Sequence, residues 1–188
     1  MMNKRSFLAT GMLAVLASAC TTTSSTSADP MAKRKSIDAE VDAALAKLFA
    51  QVPGSRELVA KSRGVLVFPS VISAGFGVGG SYGQGALRTA GRTEGYYSTT
   101  AASVGLLAGG ESKAVYLLFM NDQAISKFRG SKGWTAGADA SVTMLKVGAS
   151  AGVDTATAQA PVVGYALTNA GLMANLSIDG TKVNRLDL

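Results

Sequence analysis

The chain has 188 residues, 47% hydrophobic and 16% charged, which is enough for one domain with a real core. It contains no histidine and only one cysteine, so histidine-based nucleophiles, Cys/His metal sites and internal disulfides are all excluded. The formal net charge of +6 at pH 7 suits an anionic partner such as a lipid surface without requiring one.

The first nineteen residues have the pattern of an export signal. Lys4 and Arg5 precede a short apolar run over residues 7–16, and three small residues follow at 17–19. Cleavage after residue 19 fits an ordinary secretory signal. The same junction followed by Cys20 resembles a bacterial lipobox, although alanine replaces the usual leucine three places before the cysteine. We predict a lipoprotein-type signal peptide over residues 1–19, because lipidation explains a lone cysteine in an exported protein.

Lipidation of Cys20 would anchor the chain through acyl chains such as palmitate. Residue 21 is threonine and not aspartate, which resembles a sorting signal for the outer membrane. We therefore expect a protein of the bacterial cell envelope, held at the outer membrane and facing the periplasm or the cell surface. Residues 20–35 are predicted to combine the lipidated cysteine with a flexible Ser/Thr-rich tether. Removal of the signal, which carries Lys4 and Arg5, lowers the net charge from +6 to +4.

Residues 36–188 are predicted to form one domain that begins with helices. Ser36 has the features of an N-cap, and acidic residues follow it in the first turn. Apolar residues at helical spacing then define one face: Ile37, Val41, Leu45, Leu48 and Phe49. Pro53 and Gly54 end this helix, and a shorter helix extends from Ser55 to Ser62.

From Gly64 onward the pattern changes to β-structure. Short apolar or alternating runs lie at residues 65–68, 74–89, 95–98, 114–120, 162–167, 172–178 and 182–186, and residues 101–110 suit either a strand or a bend. Asn121 or Asp122 caps a short helix, and Asp179-Gly180 indicates a tight turn. The pattern predicts an α+β fold with N-terminal helices on a mostly antiparallel, glycine-rich β-sheet, sandwich- or barrel-like, with one short inserted helix.

The stretch GFGVGGSYGQG, residues 75–85, is the most unusual part of the chain. It contains the letters G-x-G-x-x-G, but no helix can follow them, so no nucleotide site is expected. With a period of two, one strand face is nearly bare and the other carries bulky side chains. The bare face consists of Gly75, Gly77, Gly79, Gly83 and Gly85, with Ser81 between them. A strand face without side chains lets other atoms approach its backbone closely. Either another part of the protein packs on this face, or the face forms a groove for an acyl chain or a headgroup.

Five separated blocks of the sequence closely resemble the SYLF-domain family of lipid-binding proteins. They read RGVLVFPSVISAGFGVGGSYGQGAL, EGYYSTTAASVGL, AVYLLFMNDQAISKF, GWTAGADASV and APVVGYALTNAGLMANLSIDG. The resemblance covers roughly residues 37–188. Eukaryotic members bind phosphoinositides and in some cases actin, and bacterial members look like exported lipoproteins. For an envelope protein the resemblance implies binding of anionic membrane lipid.

The acidic residues of the β-region, Glu94, Glu111, Asp139 and Asp154, show no spacing that would pair two carboxylates. We therefore expect no enzymatic activity, no metal, no cofactor and no nucleotide or nucleic acid as partner. Basic residues predicted to contact anionic phospholipid are Lys33, Arg34, Lys35, Arg88 and Arg92. The alternative is a structural or adaptor lipoprotein that binds another envelope protein through a face or edge of its sheet.

Overall fold

A computed structural model describes residues 29–145, 159–168, 171–172 and 178–188, apart from the side chains of residues 103–109 and 172 and the surroundings of Gly77. The predicted signal peptide, Cys20 and residues 21–28 of the tether lie outside these residues. Within them the helices are α1 (Pro30–Gln51), α2 (Ser55–Lys61) and α3 (Asp122–Gly130). The strands are β1 (Gly64–Thr89), β2 (Arg92–Phe119), β3 (Gly133–Thr135), β4 (Val142–Met144), β5 (Val162–Thr168), β6 (Gly171–Leu172) and β7 (Lys182–Leu186).

Helix α1 begins seven residues earlier than the sequence pattern predicted. Asp29 is the N-cap, and its side chain accepts a hydrogen bond from the Met31 amide at 3.0 Å. Pro30 occupies the first helical position, where a backbone N–H would have no partner within the helix, so proline loses no hydrogen bond there. Ser36 lies inside the helix and donates to Glu40. The prediction of Ser36 as N-cap was therefore wrong, and residues 30–35 belong to the helix and not to the flexible tether.

Strands β1 and β2 form one long antiparallel hairpin that organises the sheet. Their pairing runs from Gly64 opposite Phe119 to Thr89 opposite Arg92, with three register shifts. Residues 101–110, for which the sequence left strand and bend open, continue β2 without a break. The other edge of β2 pairs with β7 at residues 96–100 and with β5 at residues 114–119. Only the β4–β5 pairing is parallel among the described strand pairs, so the predicted α+β, mostly antiparallel fold is confirmed.

The sheet is buried on both faces where β1, β2 and β5 meet. Helices α1 and α2 cover one face, where Val67, Tyr116 and Leu118 are fully buried. Helix α3 and Trp134 cover the opposite face, which forms the second core cluster around Phe68, Leu117 and Phe119. In this second cluster the rings of Tyr97, Phe119, Phe128 and Trp134 pack with centroids 4.8–6.2 Å apart. Because both faces are occupied, strands β1 and β5 contain nearly continuous apolar runs there.

The bare glycine face lies on the inside of a sharply curled β1. A Cβ atom on Gly85 would overlap the carbonyl oxygen of Val67, and one on Gly83 would lie 2.8 Å from the carbonyl oxygen of Ser70. A Cβ on Gly75 would overlap Gly79. The second half of β1 therefore crosses its own first half at backbone contact, and the strand turns back over residues 75–79. Packing of protein on protein accounts for the glycines at these three places.

Alkaline unfolding should depend on Tyr116. This side chain is fully buried, its hydroxyl donates to the carbonyl of Ala44 at 2.8 Å, and burial raises its pKa from 10.0 to about 12. Below pH 10 both the folded and the unfolded chain keep this proton. Above pH 10 only the unfolded chain loses it, so the free energy of unfolding should fall until about pH 12, by roughly 2–3 kcal/mol from this residue. Urea unfolding between pH 8 and 12 measures the slope.

In Tyr116→Phe the alkaline slope should be shallower, and at neutral pH the lost hydrogen bond should cost about 1 kcal/mol. Burial also raises the pKa of Tyr97 and Tyr165, so part of the slope should remain. Tyr82→Phe is the control, because Tyr82 is 49% exposed. A slope that is unchanged in Tyr116→Phe would contradict the assignment.

Candidate functional site

The first turns of α1 lie beside the turn that joins β1 to β2. The carboxylate of Asp38 accepts hydrogen bonds from the Thr93 hydroxyl at 2.7 Å and from the Tyr96 hydroxyl at 2.9 Å. These bonds fix the helix against the start of β2. Between the two strands, Ala90 and Gly91 adopt positive φ angles of 49° and 78°, which makes a tight two-residue turn. Two segments far apart in sequence are thereby brought to one end of the domain.

Arg88 is part of this packing. Its side chain is only 12% exposed, and its Nη2 atom lies 2.6 Å from the Asp42 carboxylate and 3.5 Å from the Asp38 carboxylate. It also donates to the Asp38 carbonyl at 3.3 Å. Two carboxylates therefore compensate its charge, and its role in the structure is to hold α1 on the sheet. We leave Arg88 out of the lipid-binding surface proposed below.

The other four predicted basic residues are Lys33, Arg34, Lys35 and Arg92, which we call the basic end. Arg34, Lys35 and Arg92 are exposed and Lys33 is half-buried. Within the part of the chain that the structure describes, none of the four forms an ion pair. Arg34 is close enough to β2 to act on Tyr96. Burial and the bond to Asp38 raise the pKa of Tyr96, whereas the charges of Arg34 and Arg88 lower it.

The outer face of the curled hairpin is apolar and exposed. Its large side chains are Ile72 (59% exposed), Phe76 (89%), Val78 (69%) and Tyr82 (49%), which we call the bulky face. They alternate with the bare glycine positions, as the period of two predicted. No charged residue occurs between residues 70 and 87 of this strand. A row of large exposed apolar side chains is unusual on a monomeric protein and is typical of surfaces that contact a partner or a membrane.

Inside the curl the structure contains a partly open cavity of about 190 Å³. It lies between the hairpin on one side and β3 and β7 on the other. Its wall includes Phe68, Val71, Val115, Leu117, Trp134 and Val183. Sequence reasoning did not locate this cavity. Only the small residues at the inward positions of β1 hinted at open space, and which strand would cross opposite them could not be derived from spacing.

The three described carboxylates of the β-region, Glu94, Glu111 and Asp139, have different surroundings. Glu94 forms an ion pair with Arg129 at 2.7 Å, and Asp139 accepts a hydrogen bond from the Thr135 amide at 2.6 Å. Glu111 lines the cavity, and Asp154 lies outside the described residues. No group of three or more Cys, Asp or Glu side chains is placed to hold a metal ion in the described part of the chain. Among the described helices, none is long and apolar enough to cross a bilayer.

Residues 100–187 match a family model, Ysc84, described as Las17-binding protein actin regulator. The matched segment runs from within β2 to β7, so it contains the strands that build one wall of the cavity and leaves out α1, α2 and β1. The match supports the SYLF resemblance over the C-terminal part of the domain. A search of curated proteins finds no match.

Proposed function

We propose that this protein is a non-enzymatic lipoprotein of the bacterial envelope, anchored at the outer membrane through acylated Cys20, whose SYLF-type domain binds anionic phospholipid through the basic end. One observation carries the proposal. Lys33, Arg34 and Lys35 occupy the first turns of α1, and none of them forms an ion pair among the described residues.

The position of the basic end in the chain supports this role. Nine residues separate Cys20 from Pro30, and an extended chain of that length spans at most roughly 30 Å. A lipidated Cys20 would therefore keep the first turn of α1 near the bilayer. Basic residues at an anionic surface contribute about 1 kcal/mol each, and the attraction is lost within a Debye length of about 8 Å. The tether would limit the distance between the basic end and the bilayer, so the basic end could come within the range of this attraction.

The family model that matches this chain is described by a link to actin regulation. An envelope location offers no actin, so we do not extend that part of the description to this protein. Binding of membrane lipid is the property of the SYLF resemblance that suits both the location we propose and the charge of the basic end.

Vesicle flotation tests the proposal. The mature chain carrying Cys20→Ser should float with vesicles of phosphatidylcholine and phosphatidylglycerol at low salt and should not float with phosphatidylcholine alone. The triple variant Lys33→Gln, Arg34→Gln, Lys35→Gln should bind at least tenfold more weakly, because three surface cations are lost. The control triple variant removes the same charge elsewhere, at Lys61, Lys132 and Lys182, and should bind like the parent.

Three outcomes would contradict the proposal. The parent could fail to bind anionic vesicles at low salt, or both triple variants could lose binding equally, which would indicate a net-charge effect without a site. The third is an intact mass of the membrane-extracted protein that lacks an acyl increment on Cys20, which would remove the anchor.

A second candidate function, an adaptor that binds another envelope protein, is favoured by the bulky face. Phe76 and Val78 are exposed to an extent that usually indicates a partner surface. The same flotation experiment separates the two functions. If lipid binding is the main activity, vesicle binding depends on the basic end and salt. If the protein is an adaptor, vesicles are not bound and Phe76→Ser prevents its co-purification with one defined envelope protein.

A further inference from the structure

The cavity inside the curl is built differently from the close-packed crossing beside it. At Gly83 and Gly85 the two halves of β1 meet backbone to backbone. Further along each half of β1 the inward side chains are small: Ser81 lies two residues before Gly83, and Ser73 lies two residues after Val71. There the two halves of β1 do not fill the space between them. Protein interiors rarely leave voids larger than a water molecule. A space of about 190 Å³ in such an interior is a candidate ligand site.

The deep part of the cavity is apolar. Phe68 is 1% exposed and Leu117 is 2% exposed on the sheet side, and Trp134 at 1% and Val183 at 2% form the opposite wall. An apolar cavity of about 150 Å³ is sufficient to hold a benzene-sized molecule. The present cavity is somewhat larger, so it can accommodate a short run of methylene groups but not a whole two-chain lipid.

The polar side chains of the cavity lie around this apolar interior. The hydroxyls of Ser73 and Thr99 are in the wall, and Ser81, Glu111 and Lys113 are half-exposed at the rim. Lys113 is opposed by Glu111 and by Asp179, which also lines the cavity, so the rim offers no net positive charge that would select an anion. The apolar interior is therefore the part that selects the ligand, and an amphiphile with one chain fits it best.

We propose that this cavity binds the end of a single fatty-acyl chain, from a free fatty acid or from a lysophospholipid. The site is independent of the basic end. The cavity belongs to the core face that α3 and Trp134 cover, whereas α1 lies on the other face of the sheet. Loss of one site should therefore leave the other intact, and the two proposals can fail separately.

Trp134 provides a direct readout, because it is the only tryptophan of the chain and lines the cavity. Decanoate and a lysophosphatidylcholine with a ten-carbon chain are titrated into the mature Cys20→Ser protein, each below its micelle-forming concentration. Either ligand should change the Trp134 emission saturably, whereas butyrate, which lacks the chain, should not. A response to decanoate alone identifies a free fatty acid as the source of the chain.

The blocking variant is Ser81→Leu, with Ala101→Leu as a second, since Ala101 faces Ser81 on β2 and also lines the cavity. Each should weaken binding at least tenfold. Thr100→Leu is the matched control, because Thr100 is exposed and its side chain points to the opposite face from that of Ala101. Absence of a saturable change with both ligands overturns the proposal. So does parental affinity in both folded blocking variants, or an equal loss in Thr100→Leu.

Discussion

Gly85→Ala is expected to destabilise the folded state by about 3 kcal/mol or more, or to prevent folding. The added Cβ would overlap the Val67 carbonyl oxygen and would lie 2.9 Å from the ring of Phe68. The overlapped atom belongs to the backbone of β1 itself, so no side-chain rotation can relieve the contact. The two halves of β1 would have to move apart, and this movement would disturb the packing of the core on both sides of the strand. Overpacking of a rigid interior usually costs 1–3 kcal/mol and more where the backbone must move.

Gly80→Ala is the matched control. A Cβ there would lie 3.8 Å from the Ala101 carbonyl oxygen, an ordinary contact, and Gly80 is exposed on the outer side of the same strand. Because alanine restricts the unfolded chain more than glycine does, this variant should be unchanged in stability or slightly more stable. Urea unfolding of both variants measures the difference. Equal stability of Gly85→Ala and Gly80→Ala would show that β1 does not cross itself at Gly85.

This contrast also shows how far the sequence could lead. Alternation of glycine with Phe76, Val78 and Tyr82 was sufficient to predict a bare face and a bulky face. It could not show what approaches the bare face, because the approaching element is the same strand some fifteen residues earlier. That arrangement depends on how strongly the hairpin curls, and curl results from register shifts and packing across the whole sheet.

The residues of the candidate site could likewise be predicted only in part from the sequence. The run Lys33-Arg34-Lys35 was visible as a basic segment, but its place in a helix depended on Asp29 and Pro30 starting α1 early. Arg88 and Arg92 were equivalent in the sequence, both close to a predicted turn. In the structure Arg88 faces two carboxylates of α1, whereas Arg92 lies past the turn without an ion pair among the described residues. Charge partners across elements cannot be derived from spacing along one of them.

Asp38 stabilises the domain and also holds α1, which carries Lys33, Arg34 and Lys35, against the hairpin. Its carboxylate accepts bonds from Thr93 and Tyr96 of β2 and lies 3.5 Å from Arg88 of β1. One side chain of α1 thereby contacts both strands of the hairpin near their turn. In the sequence, Asp38 is one of the acidic residues predicted to lie in the first helical turn after Ser36. The helix dipole alone explains a carboxylate at such a position, so nothing in the pattern indicated this role.

Asp38→Ala should lower the free energy of unfolding by about 2–3 kcal/mol. The change removes two hydrogen bonds to a charged acceptor and leaves Arg88, only 12% exposed, with Asp42 as its one carboxylate. Asp42→Ala is the matched control, since Asp42 is 68% exposed and its ion pair is screened by water; it should cost less than about 1 kcal/mol. Urea unfolding at neutral pH compares the two, and an equal loss would contradict the role assigned to Asp38. The distinction matters for function, because Asp38 fixes the helix that carries Lys33–Lys35 beside the turn that carries Arg92.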